Sequence, residues 1–147
     1  MNPPRISFEF FPPKNVEATF RLSDTVREIV EAAGELGVGW LTLYAFSTEN
    51  WKRAPEEVRG LMNLFRIYIR KESRELTARG ARVRFIGDRG RLDLDLQRMM
   101  ARLEDVTREN DRINLTIALN YGGRAEIAAA ARRLAAEVAA GRLDPAQ

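Results

Sequence analysis

Four short runs rich in β-branched or aromatic residues punctuate the chain: Arg5 to Phe11, Trp40 to Phe46, Arg82 to Ile86 and Ile113 to Leu119. Their length and composition predict strands. Between them the apolar positions recur at helical spacing. Leu22, Val26, Ile29, Val30 and Ala33 follow the i, i+4, i+7, i+8 rule and predict a helix that stops at Gly34. Pro55 suits a first helical position, and Glu56 and Glu57 complement the positive end of the dipole, so a second helix is expected from there to about Arg79. Its apolar residues Val58, Leu61, Met62, Leu64, Phe65, Ile67, Tyr68 and Ile69 cover more than one stripe. Such a helix is buried on two sides or forms a wall facing an apolar ligand. Leu92, Leu96, Met99, Leu103 and Val106 make a third stripe, and an Ala-rich segment from Arg124 to Ala140 makes a fourth helix ending at Gly141.

The resulting βαβαβαβα order predicts an α/β fold: a parallel sheet of about four strands with right-handed crossovers and helices on both faces. The run Leu41 to Phe46 barely alternates, which predicts a central strand covered on both sides. At 147 residues and 45% hydrophobic composition, one domain with one core is the expectation. No stretch reaches the roughly 18 unbroken apolar residues of a membrane span, and the N-terminus lacks a signal pattern, so a soluble, cytoplasmic protein is expected.

Cysteine and histidine are both absent. That excludes disulfides, thiolate or imidazole metal sites and every triad with a histidine base. The net charge of +3 hides a bias, because the basic residues are nearly all arginine. Arginine suits phosphate oxygens; a solvated surface of mixed charge is the other reading of the same composition. Arg79, Arg82, Arg84, Arg89 and Arg91 cluster in sequence, but no aromatic interleaving accompanies them, so no nucleic-acid partner is expected.

Ligands of open α/β sheets bind beyond the carboxyl ends of the strands. The four loops that leave those ends are Pro12 to Asn15, Ser47 to Arg53, Gly87 to Arg91 and Asn120 to Arg124. The second is the richest, with Ser47, Thr48, Glu49, Asn50, Trp51, Lys52 and Arg53 directly before a helix. It reads as an anion cradle with an aromatic wall, or as a capped turn in which Ser47 or Asn50 serves the helix and Trp51 packs on the core. Gly122 and Gly123 before Arg124 allow close backbone approach to a ligand, or only a tight strand-to-helix turn. Gly87-Asp88 reads as a turn whose aspartate caps the next helix.

The run Leu41 to Arg53, followed by Glu57-Val58 and Leu61-Met62, is similar to the signature of undecaprenyl diphosphate synthases, the cis-prenyltransferases. Ile86-Gly87-Asp88 and Leu115 to Arg124 resemble the next two blocks of that family, in the same order and spacing. The resemblance runs from about Val26 to the C-terminus. It implies a truncated cis-prenyltransferase-like fold and a homodimeric enzyme that adds isopentenyl diphosphate units to an allylic diphosphate with Mg2+, the product growing in an apolar tunnel and touching the membrane surface transiently. Carried over by position, Asn50 becomes the proton acceptor or an orienting amide, and Ser47, Thr48, Glu49, Trp51, Arg53 and Arg124 surround prenyl diphosphate substrates. The metal ligands stay unassigned.

The chain also departs from that family. The first strand should end in an Asp-Gly-Asn-Gly-Arg-Trp-Ala block that carries a Mg2+ aspartate, and a Gly-His pair should follow; neither is present. An Arg-x-Ser-Asn-Phe strand with a further metal-binding glutamate should come after the fourth helix, where the sequence reads Asp144-Pro145-Ala146-Gln147. In their place at the front, Arg5 to Lys14 is similar to the first barrel strand of methylenetetrahydrofolate reductases, in which the glutamate at Glu9 is a catalytic acid. The expectation is a single incomplete domain over residues 1–147, with a reductase-like strand and loop at 1–25 and a prenyltransferase core at 26–147, impaired or inactive in turnover. Two alternatives accompany it: a reductase-like fragment, and a non-catalytic prenyltransferase-like interaction subunit.

Overall fold

The computed structural model describes residues 5–9 and 16–144. Its order of elements is the predicted alternation: β1 (Arg5–Glu9), α1 (Val16–Glu35), β2 (Trp40–Ser47), α2 (Pro55–Ala78), β3 (Ala81–Ile86), α3 (Leu94–Thr107), β4 (Ile113–Tyr121) and α4 (Gly123–Ala139). Short 3-10 turns at Thr48–Lys52 and Arg89–Arg91 follow β2 and β3. All four strands are parallel, in the spatial order β1-β2-β4-β3. The fold is therefore α/β, a four-stranded parallel sheet with helices. Phe10 and Phe11, expected to end the first strand, and the loop Pro12 to Asn15 lie outside the described residues, as does the side chain of Glu9.

Register builds the core. Leu41, Leu115 and Val83 align across β2, β4 and β3, as do Leu43, Ile117 and Phe85. All six are buried, in one cluster with Val26, Val30 and Ala33 of α1, Val58, Leu61, Met62, Ile69 and Leu76 of α2, and Leu96, Met100 and Leu103 of α3. Contrary to the expectation for β2, its second side is only half covered. Trp40 is exposed, Thr42 and Tyr44 are half-buried, and Arg82, Arg84 and Ile86 of β3 are exposed. The physical reason is chemical: threonine and arginine keep a polar end in water while their stems cover the sheet, and the Tyr44 hydroxyl turns to the Tyr121 carbonyl.

Helix ends differ from expectation where a better cap is near. The first helix passes through Gly34 and ends at Glu35, because Gly37, at φ 71°, closes it. The Val38 N–H donates to the Ala33 carbonyl and that of Gly37 to Gly34, with Val38 buried beside the last turn. This is a Schellman closure, for which glycine supplies the left-handed residue. Gly141, at φ 69°, ends α4 in the same way through Arg142 and Glu137. In α3 the buried stripe is Leu96, Met100, Leu103 and Thr107, with Leu92 buried just ahead of the helix, whereas Met99 is half-buried and Val106 is 51% exposed. The apolar pattern missed Thr107 because the position facing the sheet is polar. Likewise Glu72 is buried on the stripe of α2, where the Lys71 ammonium stands 3.7 Å away. Burial, and secondarily the Glu72 charge, push the Tyr68 phenol well above its usual range.

Thr107 belongs to a set of side chains that close the free edge of β3. Its hydroxyl donates to the Leu103 carbonyl at 2.7 Å and accepts from the Val83 N–H at 3.1 Å. Glu104 accepts from the Phe85 N–H at 2.8 Å, Asn110 donates to the Ala81 carbonyl at 2.9 Å, and Arg89 donates to the Phe85 carbonyl at 3.1 Å. Backbone groups that would otherwise template another strand are thereby satisfied. Arg66 joins α2 to the start of α3 through Asp93 and a bidentate grip on Asp95. The hydrogen bond from Arg66 holds the Asp95 carboxyl at about 2.

Two outcomes are expected. Thr107→Val leaves the Val83 N–H buried without a partner and should lower unfolding free energy by about 1–3 kcal/mol in denaturant titration, with Thr107→Ser much closer to the parent. The Arg66–Asp95 pair stabilises the fold above the unfolded carboxylate value of about 3.9 and loses that contribution as pH falls through about 2. Arg66→Ala should therefore lower the thermal midpoint at pH 6, and the difference from the parent should shrink towards pH 1.

Candidate functional site

Parallel strands bring the loops after β2, β3 and β4 to one edge of the sheet, and three close contacts fasten them together. The first is backbone against backbone. Gly87, at φ 116°, passes so close to β4 that a Cβ there would stand 2.1 Å from the Leu119 carbonyl oxygen. The second joins the β2 and β4 loops: a Cβ on Gly122 would stand 2.4 Å from the Thr48 hydroxyl oxygen. Both glycines of the sequence motifs are thus needed for loop-to-loop approach.

Asn120 makes the third contact. It is buried and sits at φ 53°, a conformation that asparagine tolerates better than most residues. Its side-chain oxygen accepts from the Trp51 indole N–H at 2.7 Å, and its amide donates to the Asp88 carbonyl at 2.7 Å. The Asp88 N–H donates back to the Asn120 carbonyl at 3.1 Å. One amide therefore connects the exits of all three strands.

Within the Thr48–Lys52 turn, the Asn50 side-chain oxygen accepts from the Ser47 N–H at 2.8 Å. Trp51 meets Phe46 edge to face at 5.2 Å, and the Arg91 guanidinium lies 4.5 Å from the centre of its ring. The capped-turn reading of this loop is realised in part: Trp51 packs on the core, but Asn50 serves its own turn and not the helix, because α2 is entered through Ala54, which offers no side-chain cap. The turn also carries a fixed anion. The Glu49 carboxyl is held below its usual range by its own backbone N–H, then by the Ser47 and Thr48 hydroxyls, with Lys52 adding a smaller attraction. Asp88 caps the Arg89–Arg91 turn through Gly90 at 2.9 Å, not the α3 helix.

Thr48, Asp88, Asn120 and Tyr121 line a cavity of about 620 Å3 whose far wall is α4, with Arg132 and Arg133 as its cations. Of the residues expected from sequence, Thr48 lines this cavity directly. Ser47, Glu49, Asn50 and Trp51 form the turn behind it; Arg53 is at the entry to α2, 3.6 Å from Glu57; Arg124 is exposed in the first turn of α4. Sequence reasoning missed Asn120 as the bridge, Arg91 as the cover of Trp51, and Arg132 and Arg133. Asparagine directly before Gly-Gly signalled a left-handed residue; nothing in the Ala-rich pattern distinguished the two α4 arginines. Tyr44 donates to the Tyr121 carbonyl at 2.9 Å, and a hydrogen bond to Glu126 raises the Tyr121 phenol. Among the described residues, no group of three or more Asp, Glu, His or Cys comes together as a metal cage.

Residues 15–146 match the family described as "Putative undecaprenyl diphosphate synthase". The match starts upstream of Val26 and leaves out Arg5 to Lys14, the reductase-like run. Isoprenyl transferase 1 of Streptomyces coelicolor is 50% identical over 125 residues, 85% of this chain and 45% of that protein. The trans,polycis-polyprenyl diphosphate synthase ((2Z,6E)-farnesyl diphosphate specific) of Thermobifida fusca is 52% identical over 118 residues, 80% of this chain and 42% of that protein. The crystal structure of lavandulyl diphosphate synthase from Lavandula x intermedia in complex with dimethylallyl diphosphate superposes with a TM-score of 0.83 at 33% identity, covering 88% of this chain and 56% of that one. The chain spans less than half the length of the two curated relatives.

The loop contacts set an expected contrast between glycines. Gly87→Ala places a methyl group against backbone at a positive φ and should destabilise the fold by about 1–3 kcal/mol. Gly123→Ala, where a Cβ meets nothing within 4 Å, should leave stability unchanged or slightly raised. Denaturant titration of both checks it.

Proposed function

This chain belongs to the undecaprenyl diphosphate synthase family, and we propose that it binds a prenyl diphosphate at the carboxyl edge of its sheet, the site at which such a synthase joins isopentenyl diphosphate to an allylic diphosphate. The observation that carries the reading is the fastening of the Thr48–Lys52 turn to the Asn120–Gly122 loop by Trp51 and Gly122. The same motif-bearing loops that resemble the family form one continuous edge. The relatives support the substrate class: one is specific for farnesyl diphosphate, and the lavandulyl diphosphate synthase holds dimethylallyl diphosphate.

In the proposed reaction, guanidinium groups of Arg53 and Arg124 and the backbone N–H groups of these loops hold the diphosphate of the allylic substrate. The allylic carbon–oxygen bond breaks with its electron pair leaving on diphosphate. The double bond of isopentenyl diphosphate attacks that carbon, a carbon–carbon bond forms, and a proton leaves the adduct as a new double bond closes. An amide is too weak a base to take that proton, and the Asn50 oxygen is already committed to the Ser47 N–H. Asn50 therefore orients the turn, and an oxygen of the departing diphosphate accepts the proton. Cations and oriented N–H groups favour the bond-breaking step because negative charge grows on the leaving group.

Mg2+ belongs to the proposal as the usual companion of a diphosphate. The described residues do not fit a protein-built Mg2+ cage, and the steps above use none. A homodimer, a cytoplasmic location and transient contact of product with a membrane surface complete the proposal. Among the described residues, no helix is long and apolar enough to cross a membrane.

Titration calorimetry with dimethylallyl diphosphate and with isopentenyl diphosphate tests the reading. Saturable binding of at least one is expected, weakened about tenfold in Arg53→Ala and in Arg124→Ala, the loss of one charged hydrogen bond each. Absence of binding by both to the folded chain would contradict it. Incubation with Mg2+ and labelled isopentenyl diphosphate then tells a turning-over enzyme from a binding domain.

A further inference from the structure

We infer that Arg91 is a positioning residue for the Thr48–Lys52 turn, acting through the face of the Trp51 ring; its value to ligand binding rests on the prenyl diphosphate reading above. The two arginines that flank Gly90 have different fates. Arg89 is clamped by both oxygens of Glu104, at 2.6 and 2.9 Å, and by the Phe85 carbonyl. Arg91 has no ion pair among the described residues, and its guanidinium lies over the indole. A cation over a tryptophan face is held by the ring quadrupole, and arginine adds planar stacking.

The ring is thereby gripped on three sides: Arg91 on a face, Phe46 against it edge to face, and Asn120 on its N–H. Only the first of these can be removed without opening the core or the buried amide bridge. Trp51, Met62, Arg91 and Leu92 line an open cleft of about 300 Å3, and the other two arginines that line it are paired elsewhere, Arg59 with Glu56 and Arg66 with Asp93 and Asp95. Trp51 directly follows Asn50, whose side chain holds the Ser47 N–H. A shift of the indole therefore moves the whole turn. The unpaired guanidinium also leaves a positive charge beside a loop that is to receive a diphosphate, which an apolar cover would not supply.

The test uses the full chain with Trp40→Phe, so that emission reports Trp51 alone. Arg91→Met keeps stem length and removes the cation; Arg91→Lys keeps the cation and removes the planar fork. In ligand-free protein, acrylamide quenching of Trp51 should rise about twofold in Arg91→Met, with faster amide exchange at residues 48–52, and Arg91→Lys should fall between Met and parent. The dissociation constant for dimethylallyl diphosphate should weaken about three- to fivefold in Arg91→Met at unchanged folded fraction. Parent-like quenching and exchange in Arg91→Met would overturn the inference, as would a binding loss that disappears once the folded fractions are matched. If the parent itself binds neither diphosphate, the functional reading fails, and the ligand-free quenching and exchange still decide whether Arg91 holds the turn.

Discussion

A single buried amide holds the working edge of this molecule together. Asn120 sits in a left-handed backbone conformation at the end of the central strand β4 and reaches the β2 exit through Trp51 and the β3 exit through Asp88. Each of those hydrogen bonds is partly buried and ends on a buried side chain whose polar atoms would be costly to leave unsatisfied, so the three loops are locked as a set rather than singly. The glycines at 87 and 122 make that lock possible by letting backbone and side chain approach to distances that a Cβ would forbid. Remove the lock, and the loops become three independent surface turns.

The rest of the fold serves that edge. β4 lies between β2 and β3, so residues far apart in sequence emerge side by side. The buried layer of Leu41, Leu43, Leu115, Ile117, Val83 and Phe85 fixes their heights, since a slip of one residue would turn every one of these side chains to the opposite face. On the far side of β3, Thr107, Glu104, Asn110 and Arg89 satisfy the outward backbone groups, which leaves the sheet a defined border there.

Much of this was legible in the sequence because it is written in period and punctuation. The strand runs from Trp40, Arg82 and Ile113, the described part Arg5–Glu9 of the first run, Pro55 at the start of α2 and Gly141 after α4 each depend on local chemistry, and each stands where the pattern places it. What escaped is tertiary. Gly34 has the residue type of a helix end, but the closure is made by Gly37 three residues on, and Thr107 and Glu72 hide polar atoms on stripes that apolar counting reads as Leu or Met positions. The site was legible in its parts, because Ser47 to Arg53 and Asn120 to Arg124 carry unusual residues for turns. Its assembly was not: that Asn120 receives the Trp51 N–H depends on strand order, which no local pattern encodes. Nor did the Ala-rich period of α4 mark Arg132 and Arg133 as the cations that line the cavity.

The central claim is that three loops act as one diphosphate-binding edge. It is tested most directly by following the backbone amides of isotopically labelled chain in an NMR titration with dimethylallyl diphosphate. The account predicts that signals of residues 47–53, 87–91 and 120–124 move together along one saturation curve, with the Trp51 indole N–H among them. Shifts confined to one loop, or centred on the opposite edge around Trp40, Ala81 and Ile113, would contradict it.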